Sequence, residues 1–470
     1  MKFFLMNNFR KESDLLGELQ VPEGAYYGVQ TQRAIENFKI SGQTLSSYPE
    51  FIRALGLVKK AAVKTNYELG LLPEKLYQAI SQACDKVISG DFDAEFPIDM
   101  IQGGAGTSVN MNANEVIANI ALELLGHPKG DYQHCSPNDH VNLSQSTNDA
   151  YPTAIKLALL QLNEKLAKKL AFAVDSFREK GKEFADVIKM GRTQLQDAVP
   201  MTLGQEFEAF AATLEEDISK LNNNAGLFVE VNMGATAIGT GLNAPVGYAV
   251  LCARNLAQIS GYPIVSAPNL VEATPDTGSY VIYSSAMKRL AVKLSKICND
   301  LRLLSSGPRA GFFEINLPAM QPGSSIMPGK VNPVIPEVVN QVCYKVIGND
   351  LTVTFAAEAG QLQLNVMEPV LSHCIFENIE FLCNALDTLR EKCVVGITAN
   401  REVCLAMVRN SIGIVTALNP YIGYKNSTQI AKTALETGRS VYDLVIEQKL
   451  MSQEELDYVV DPKNMLKPHN

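Results

Sequence analysis

Two adjacent hydroxyls, Ser324 and Ser325, one cation, Lys330, and one carboxamide, Asn332, stand close together in GSSIMPGKVNP at 323–333, with no acidic residue among them. Hydrogen-bond donors and a positive charge without a competing acid are what a small carboxylate or phosphate requires. Prolines 322, 328 and 333 with Gly323 and Gly329 forbid a regular helix, so the stretch is a loop between helical segments. Its glycines let the backbone approach a ligand closely or swing as a lid. Taken alone, the same residues also describe a solvated turn, because Ser, Gly and Pro are the ordinary turn formers.

Three further polar stretches carry comparable chemistry. GGAGTSVNMNANE at 103–115 is a glycine-rich turn running into a helix, and its N-terminal N–H groups with Thr107 and Ser108 could meet an anion. Capping alone would also explain those two hydroxyls. Neither G-x-G-x-x-G nor GK[ST] occurs, so nucleotide binding is not indicated. PNDHVNLSQSTND at 137–149 precedes a long helical pattern, with Ser146, Thr147 or Asp149 as its cap and more hydroxyl and amide donors on offer. GRTQLQDAVP at 191–200 lies between helices, and the glycines of 234–241 mark a close-packed turn.

The elements that must position these loops are helical. Leu159, Leu162, Leu166, Leu170, Val174 and Phe177 recur at three- and four-residue steps, as do Phe207, Phe210, Leu214, Ile218 and Leu221, and again Leu290, Leu294, Ile297, Leu301 and Leu304. Helices are also expected over 47–71, 73–88, 337–355 and 370–392. The fold class is therefore all-α in the main, a long bundle, divided at soft boundaries into 1–145, 146–400 and a small helical 401–470. Val339, Val342, Val346 and Ile347 give one helix apolar residues on more than one side, a sign of bundling between subunits.

Composition narrows the class. With 470 residues, 46% hydrophobic content and a formal charge of −9, the chain can build a large core and shows no basic stripe for nucleic acid. Nine scattered cysteines without a C-x-x-C pair read as reduced core residues of a cytoplasmic protein. The apolar run at the start is too short for a secretory leader, and no stretch is long enough to span a membrane. No metal-ligand cluster is visible by spacing, and His134 and His140 read as loop residues or supports behind a site.

Together the four polar stretches, in this order, resemble the aspartase/fumarase superfamily. GSSIMPGKVNP is close to its signature, and the similarity runs from LLGELQVPEGAYYGVQTQRA at 15–34 onward. The resemblance implies a three-domain α protein whose central helices form a twenty-helix core in a homotetramer, with each active site built from loops of three subunits. Gln194 stands where fumarases carry histidine, so the resemblance is to the aspartase branch and implies reversible elimination of ammonia from L-aspartate to fumarate. A class II fumarate hydratase is the alternative, and a non-catalytic descendant of the fold a further one.

That chemistry takes a proton from the carbon beside the β-carboxylate and drives charge onto it, giving an aci-carboxylate. Each donor aimed at those oxygens is typically worth about 3 kcal/mol. The resemblance implies Thr107, Ser146, Thr147 and the Ser325 backbone at the β-carboxylate, Thr193, Lys330 and Asn332 at the α-carboxylate, and Asn148 and Gln194 at the ammonium group. Ser324 is then the catalytic base, which needs a stabilised alkoxide and exclusion of water. No prosthetic group is implied, and Mg²⁺ is expected at most as an activator.

Overall fold

The computed structural model describes residues 8–461 and 464–465; the short apolar run at the N-terminus lies outside them. Helices dominate, and the strands form four two-stranded sheets among the described residues. By packing, the chain divides into two compact units. One comprises Met1–Ala167, Ser219–Arg289 and Lys345–Phe381; the other comprises Lys168–Ile218, Leu290–Tyr344 and Leu382–Asn470.

In the first unit, the helix Pro49–Glu68 starts with proline in its first turn followed by Glu50, a placement that suits both the fixed proline φ and the positive helix end. It stops at Gly70, which takes a φ of +75°, while Leu71 N–H bonds back to Asn66 O at 2.8 Å. Left-handed glycine, rather than the following Leu-Pro step, therefore ends the helix. Phe51, Ile52, Leu55 and Val58 are buried on its inner face, each worth roughly 1.5–3 kcal/mol relative to exposure.

The helix Thr147–Glu183 is 37 residues long and carries Pro152 near its start. A proline has no N–H for the carbonyl four residues before it. That carbonyl, Asn148 O, is instead satisfied by Asn232 Nδ2 at 3.0 Å.

In the second unit, Phe177, Phe184, Phe207 and Phe210 interlock with ring centroids 5.3–6.1 Å apart. The expected helical stripes are borne out: Leu159 to Phe177 and Leu290 to Leu304 are buried at every named position, while Ile218 is half-buried. Two hairpins were not anticipated. Phe9–Asp14 pairs with Gly17–Pro22, and Ile188–Thr193 pairs with Gln196–Thr202, interrupting the helical run expected after Tyr151. The C-terminal helices pack Val408, Leu418, Ile430, Leu444 and Leu456 into a core shared with Met190 of the second hairpin, and Gly423 at φ +79° breaks the helix where a turn was expected.

All nine cysteines are buried and free. No single helix among the described residues is long and apolar enough to cross a membrane.

Candidate active site

The four polar stretches fall on both units. Thr107, Ser146, Thr147 and Asn148 belong to the first; Thr193, Gln194, Ser324, Ser325, Lys330 and Asn332 belong to the second.

Thr107 opens the helix Thr107–Leu124 and is exposed, with its Oγ1 donating to Gly104 O at 2.8 Å. Gly106 precedes it at φ +86°, and a Cβ there would lie 2.4 Å from the buried Tyr151 ring, so only glycine fits. Ser146 caps the next helix. Its Oγ accepts Asn148 N–H at 3.2 Å, and its own N–H donates to Asp149 Oδ1 at 3.0 Å. Thr147 Oγ1 accepts from Asn110 Nδ2 at 3.2 Å. The Asn148 amide donates to Ala237 O at 2.8 Å, which turns its carbonyl oxygen into the acceptor an ammonium group needs.

Beneath these residues lies a buried polar network that sequence reasoning missed. Lys59 is fully buried, and its ammonium donates to Asn110 Oδ1 (2.7 Å), Asn142 Oδ1 (3.0 Å) and Gln145 Oε1 (2.8 Å). Asn110 in turn holds Thr147, so the lysine braces the loop from behind. Burial pushes the Lys59 ammonium down to about 7, against the pull of Asp149. Asp149, also fully buried, accepts N–H groups from Ser146, Gly234 (3.1 Å) and Thr236 (2.9 Å). Burial pushes its carboxyl up to about 7, opposed by those donors and by Lys59.

The glycine turn at 234–241 is close-packed as expected, yet it also serves this carboxylate: a Cβ at Gly239 would meet Val271 Cα at 2.3 Å. The available signal was a lysine four residues from both Leu55 and Val63 on an otherwise apolar face. Glu115 acts elsewhere. It accepts the N–H groups of Gly28, Gln30 and Thr31 at the head of the helix Val29–Asn37, and burial pushes it up to about 7.

In the second unit, Thr193 and Gln194 sit exposed at the tip of the Ile188–Thr202 hairpin. Thr193 pairs with Gln196 across a two-residue turn whose residues, Gln194 and Leu195, take φ of +53° and +62°. Side chains in that region cost about 1–2 kcal/mol each, so the tip is held by the hairpin base. There Arg192 Nη1 bonds Glu314 Oε1 at 2.6 Å, and Lys189 pairs with Glu314 at 2.8 Å and Glu206 at 2.6 Å.

The signature loop folds back on itself. Gly323 N–H donates to Lys330 O and Asn332 Nδ2 donates to Gly323 O, both at 2.7 Å. A Cβ on Gly323 would come 2.5 Å from Lys330 O, so the closure needs glycine. Asn332 is thus a staple of the loop in addition to any contact with substrate. Ser324 Oγ accepts two backbone N–H groups, from Ile326 at 3.1 Å and Met327 at 3.0 Å. Donors on an oxygen favour its charged form, so this turn favours an alkoxide. Ser325 and Lys330 are exposed, and residues 327–333 line a cleft of about 840 Å³ with Arg302, Asn316 and Glu337 on its other walls.

Comparison with known proteins places the chain in a family. A family profile described as Lyase matches residues 17–348, and one described as fumarase C C-terminus matches residues 414–467. The aspartate ammonia-lyase of Pseudomonas aeruginosa is 62% identical over 460 residues, covering 98% of this chain and 97% of its own. That of Escherichia coli is 58% identical over 465 residues, covering 99% and 97%. Among solved structures, a Brucella melitensis protein described as fumarate lyase:delta crystallin bound to cobalt superposes with a TM-score of 0.96 at 56% identity, covering 98% of this chain and 100% of its own. The class II fumarase of Schistosoma mansoni superposes at 0.93 with 36% identity and the same coverage. The chain belongs to the aspartase/fumarase superfamily of lyases.

Proposed function

We propose that the chain catalyses the reversible elimination of ammonia from L-aspartate to give fumarate, as an aspartate ammonia-lyase. Identity near 60% over the whole chain to relatives of that name supports the reading. The observation that carries the mechanism is the pair of N–H groups on Ser324 Oγ. As an alkoxide, Ser324 takes the proton from the carbon beside the β-carboxylate. The electron pair moves onto that carboxylate, met by Thr107, Ser146, Thr147 and the Ser325 backbone. Collapse of the aci-carboxylate forms the double bond and expels the amine, held by Asn148 and Gln194. Thr193, Lys330 and Asn332 hold the α-carboxylate throughout.

The division of these residues between separate loops supports a site completed by three subunits of a homotetramer. Leu351 and Phe355, exposed by 58% and 65% on the helix Val334–Glu358, supply apolar surface for a helical core between subunits. Light scattering should give about four times the 51.2 kDa chain mass. The parts 1–145, 146–400 and 401–470 are proposed as its domains and the cytoplasm as its compartment, both testable by limited proteolysis and fractionation.

Mg²⁺ prefers carboxylate and carbonyl oxygens. The side chains proposed to hold the substrate are hydroxyls, amides and a lysine, and both oxygens of Asp149 are taken by backbone N–H groups, so no step is routed through that ion. It enters the proposal only as an activator outside these loops, tested by EDTA titration of the rate. The decisive assay is absorbance at 240 nm with L-aspartate and separately with L-malate. Fumarate from aspartate alone is expected, and fumarate from malate alone would establish the hydratase instead.

A further inference from the structure

The sequence spacing disclosed no metal-ligand cluster, but the fold assembles one in the turn between the Thr107–Leu124 helix and the polar stretch that begins at Pro137. The helix Thr107–Leu124 ends with Gly126 at φ +85°, and His127 N–H returns to Leu122 O at 2.9 Å, which fixes where His127 leaves the helix. A turn follows: Asp131 N–H bonds Pro128 O, His134 N–H bonds Asp131 O, and Gly130 N–H is held by Asn119 Oδ1 at 2.8 Å. Tyr132, between them, is tied to Glu12 and Asn119. His127 Nδ1 then lies 3.5 Å and His134 Nε2 3.7 Å from the same oxygen, Asp131 Oδ2. All three ligand atoms fall within 4.8 Å of one another.

We propose that His127, Asp131 and His134 bind one divalent transition ion of the zinc and cobalt class, clipping the end of the Thr107–Leu124 helix to the turn that follows it. Two imidazoles and one carboxylate suit such ions and not magnesium. An ion about 2.0–2.1 Å from each of three ligands spaces them about 3.3 Å apart, close to the two imidazole–carboxylate distances of 3.5 and 3.7 Å. The imidazoles are stacked, with centroids 3.7 Å apart and planes 14° from parallel, and must open to converge on the ion. The terminal torsion of each ring is soft, which makes that opening accessible. The negative end of the helix dipole favours a cation at this place. The neighbouring Lys129 ammonium is engaged elsewhere, by Gly24 O at 2.8 Å and the Tyr26 ring. His134 is 44% exposed, so solvent can reach the site and supply the remaining ligand.

The site stands apart from the proposed catalysis, since the 18-residue helix between Thr107 and this turn is about 27 Å long at 1.5 Å per residue. The test is titration of EDTA-treated full-length protein with Co²⁺ alone, read by visible d–d absorption and by thermal shift. One ion per chain is expected, with bands of a nitrogen- and oxygen-ligated site and a raised Tm. His134→Gln and Asp131→Asn should each weaken binding at least about tenfold, while circular dichroism remains that of wild type. Absence of bands and thermal shift in the wild type with excess Co²⁺ would overturn the proposal. Wild-type affinity in both variants would do the same, placing the ion elsewhere. Because the readout is metal binding and not turnover, failure of the aspartate reaction would leave this result interpretable.

Discussion

Lys59→Met removes the ammonium from the network behind Thr147 while keeping the length of the side chain. Three amide oxygens lose a donor, but not equally. Asn142 Oδ1 still accepts from Asn110 Nδ2 at 3.1 Å and Asn114 Nδ2 at 3.2 Å, whereas the buried Asn110 Oδ1 and the half-buried Gln145 Oε1 lose the lysine. Each orphaned acceptor costs about 1–3 kcal/mol, and Asp149 loses its counter-charge. Against this stands the desolvation of an ammonium that the variant no longer bears, so the net loss should be about 3–5 kcal/mol, as for removal of one partner from a buried ion pair.

The functional consequence follows through Asn110. Once its oxygen has no donor, its amide can flip, and Thr147 Oγ1 loses the bond now 3.2 Å long. Thermal unfolding should show a Tm lower by several degrees, and the assay at 240 nm should show kcat/KM for aspartate down by at least about tenfold. A variant with the Tm and kcat/KM of wild type would refute the claim that Lys59 braces this loop.

Gly106→Ala forces a side chain into positive φ and against Tyr151, at a combined cost of about 2–4 kcal/mol, visible as a lower Tm. Lys330→Ala removes a charged contact to a carboxylate worth about 1.5–3 kcal/mol, so kcat/KM should fall about 10- to 100-fold with both KM and kcat affected. Glu368 is buried with only Lys156 to offset its burial, which pushes the carboxyl up to about 8. A raised carboxylate means that the folded state binds more protons than the unfolded one, so its contribution is present at low pH and lost as pH rises through about 8. Glu368→Gln should therefore gain on wild type between pH 4.5 and 8, by at most about 1.4 kcal/mol per pH unit, in parallel thermal melts. A constant difference across that range would contradict the assignment.

The long helices were legible because a 3.6-residue period survives in Leu159 to Phe177 whatever the partner helix is. The hairpin bearing Thr193 and Gln194 was not. Its first strand, IKMGRT, contains Gly191 and little alternation, and its turn uses Gln-Leu in a conformation that usually calls for Asn-Gly. Its placement comes from Arg192 and Lys189 reaching Glu314, more than a hundred residues away in sequence. Lys59 was invisible for a similar reason, and Asp149 was legible only as a helix cap: a charge announces burial only when its partners are known. The grouping of His127, Asp131 and His134 was not legible either, because their convergence depends on left-handed backbone at Gly126 and Gly130. That the Ser324 segment is a loop, by contrast, was readable from its own prolines and glycines, whereas the role of its donors rested on the family resemblance.

Substitution of Ser324 by alanine tests the central claim most directly. It deletes one hydroxyl on a partly exposed loop and leaves the Gly323–Lys330 and Asn332–Gly323 ties in place, so assembly should be unchanged by light scattering. The account predicts a fall in kcat for aspartate of about 10²–10⁴, the usual contribution of a general base. A variant that keeps more than about a tenth of the wild-type kcat would contradict it and require another group to take the proton.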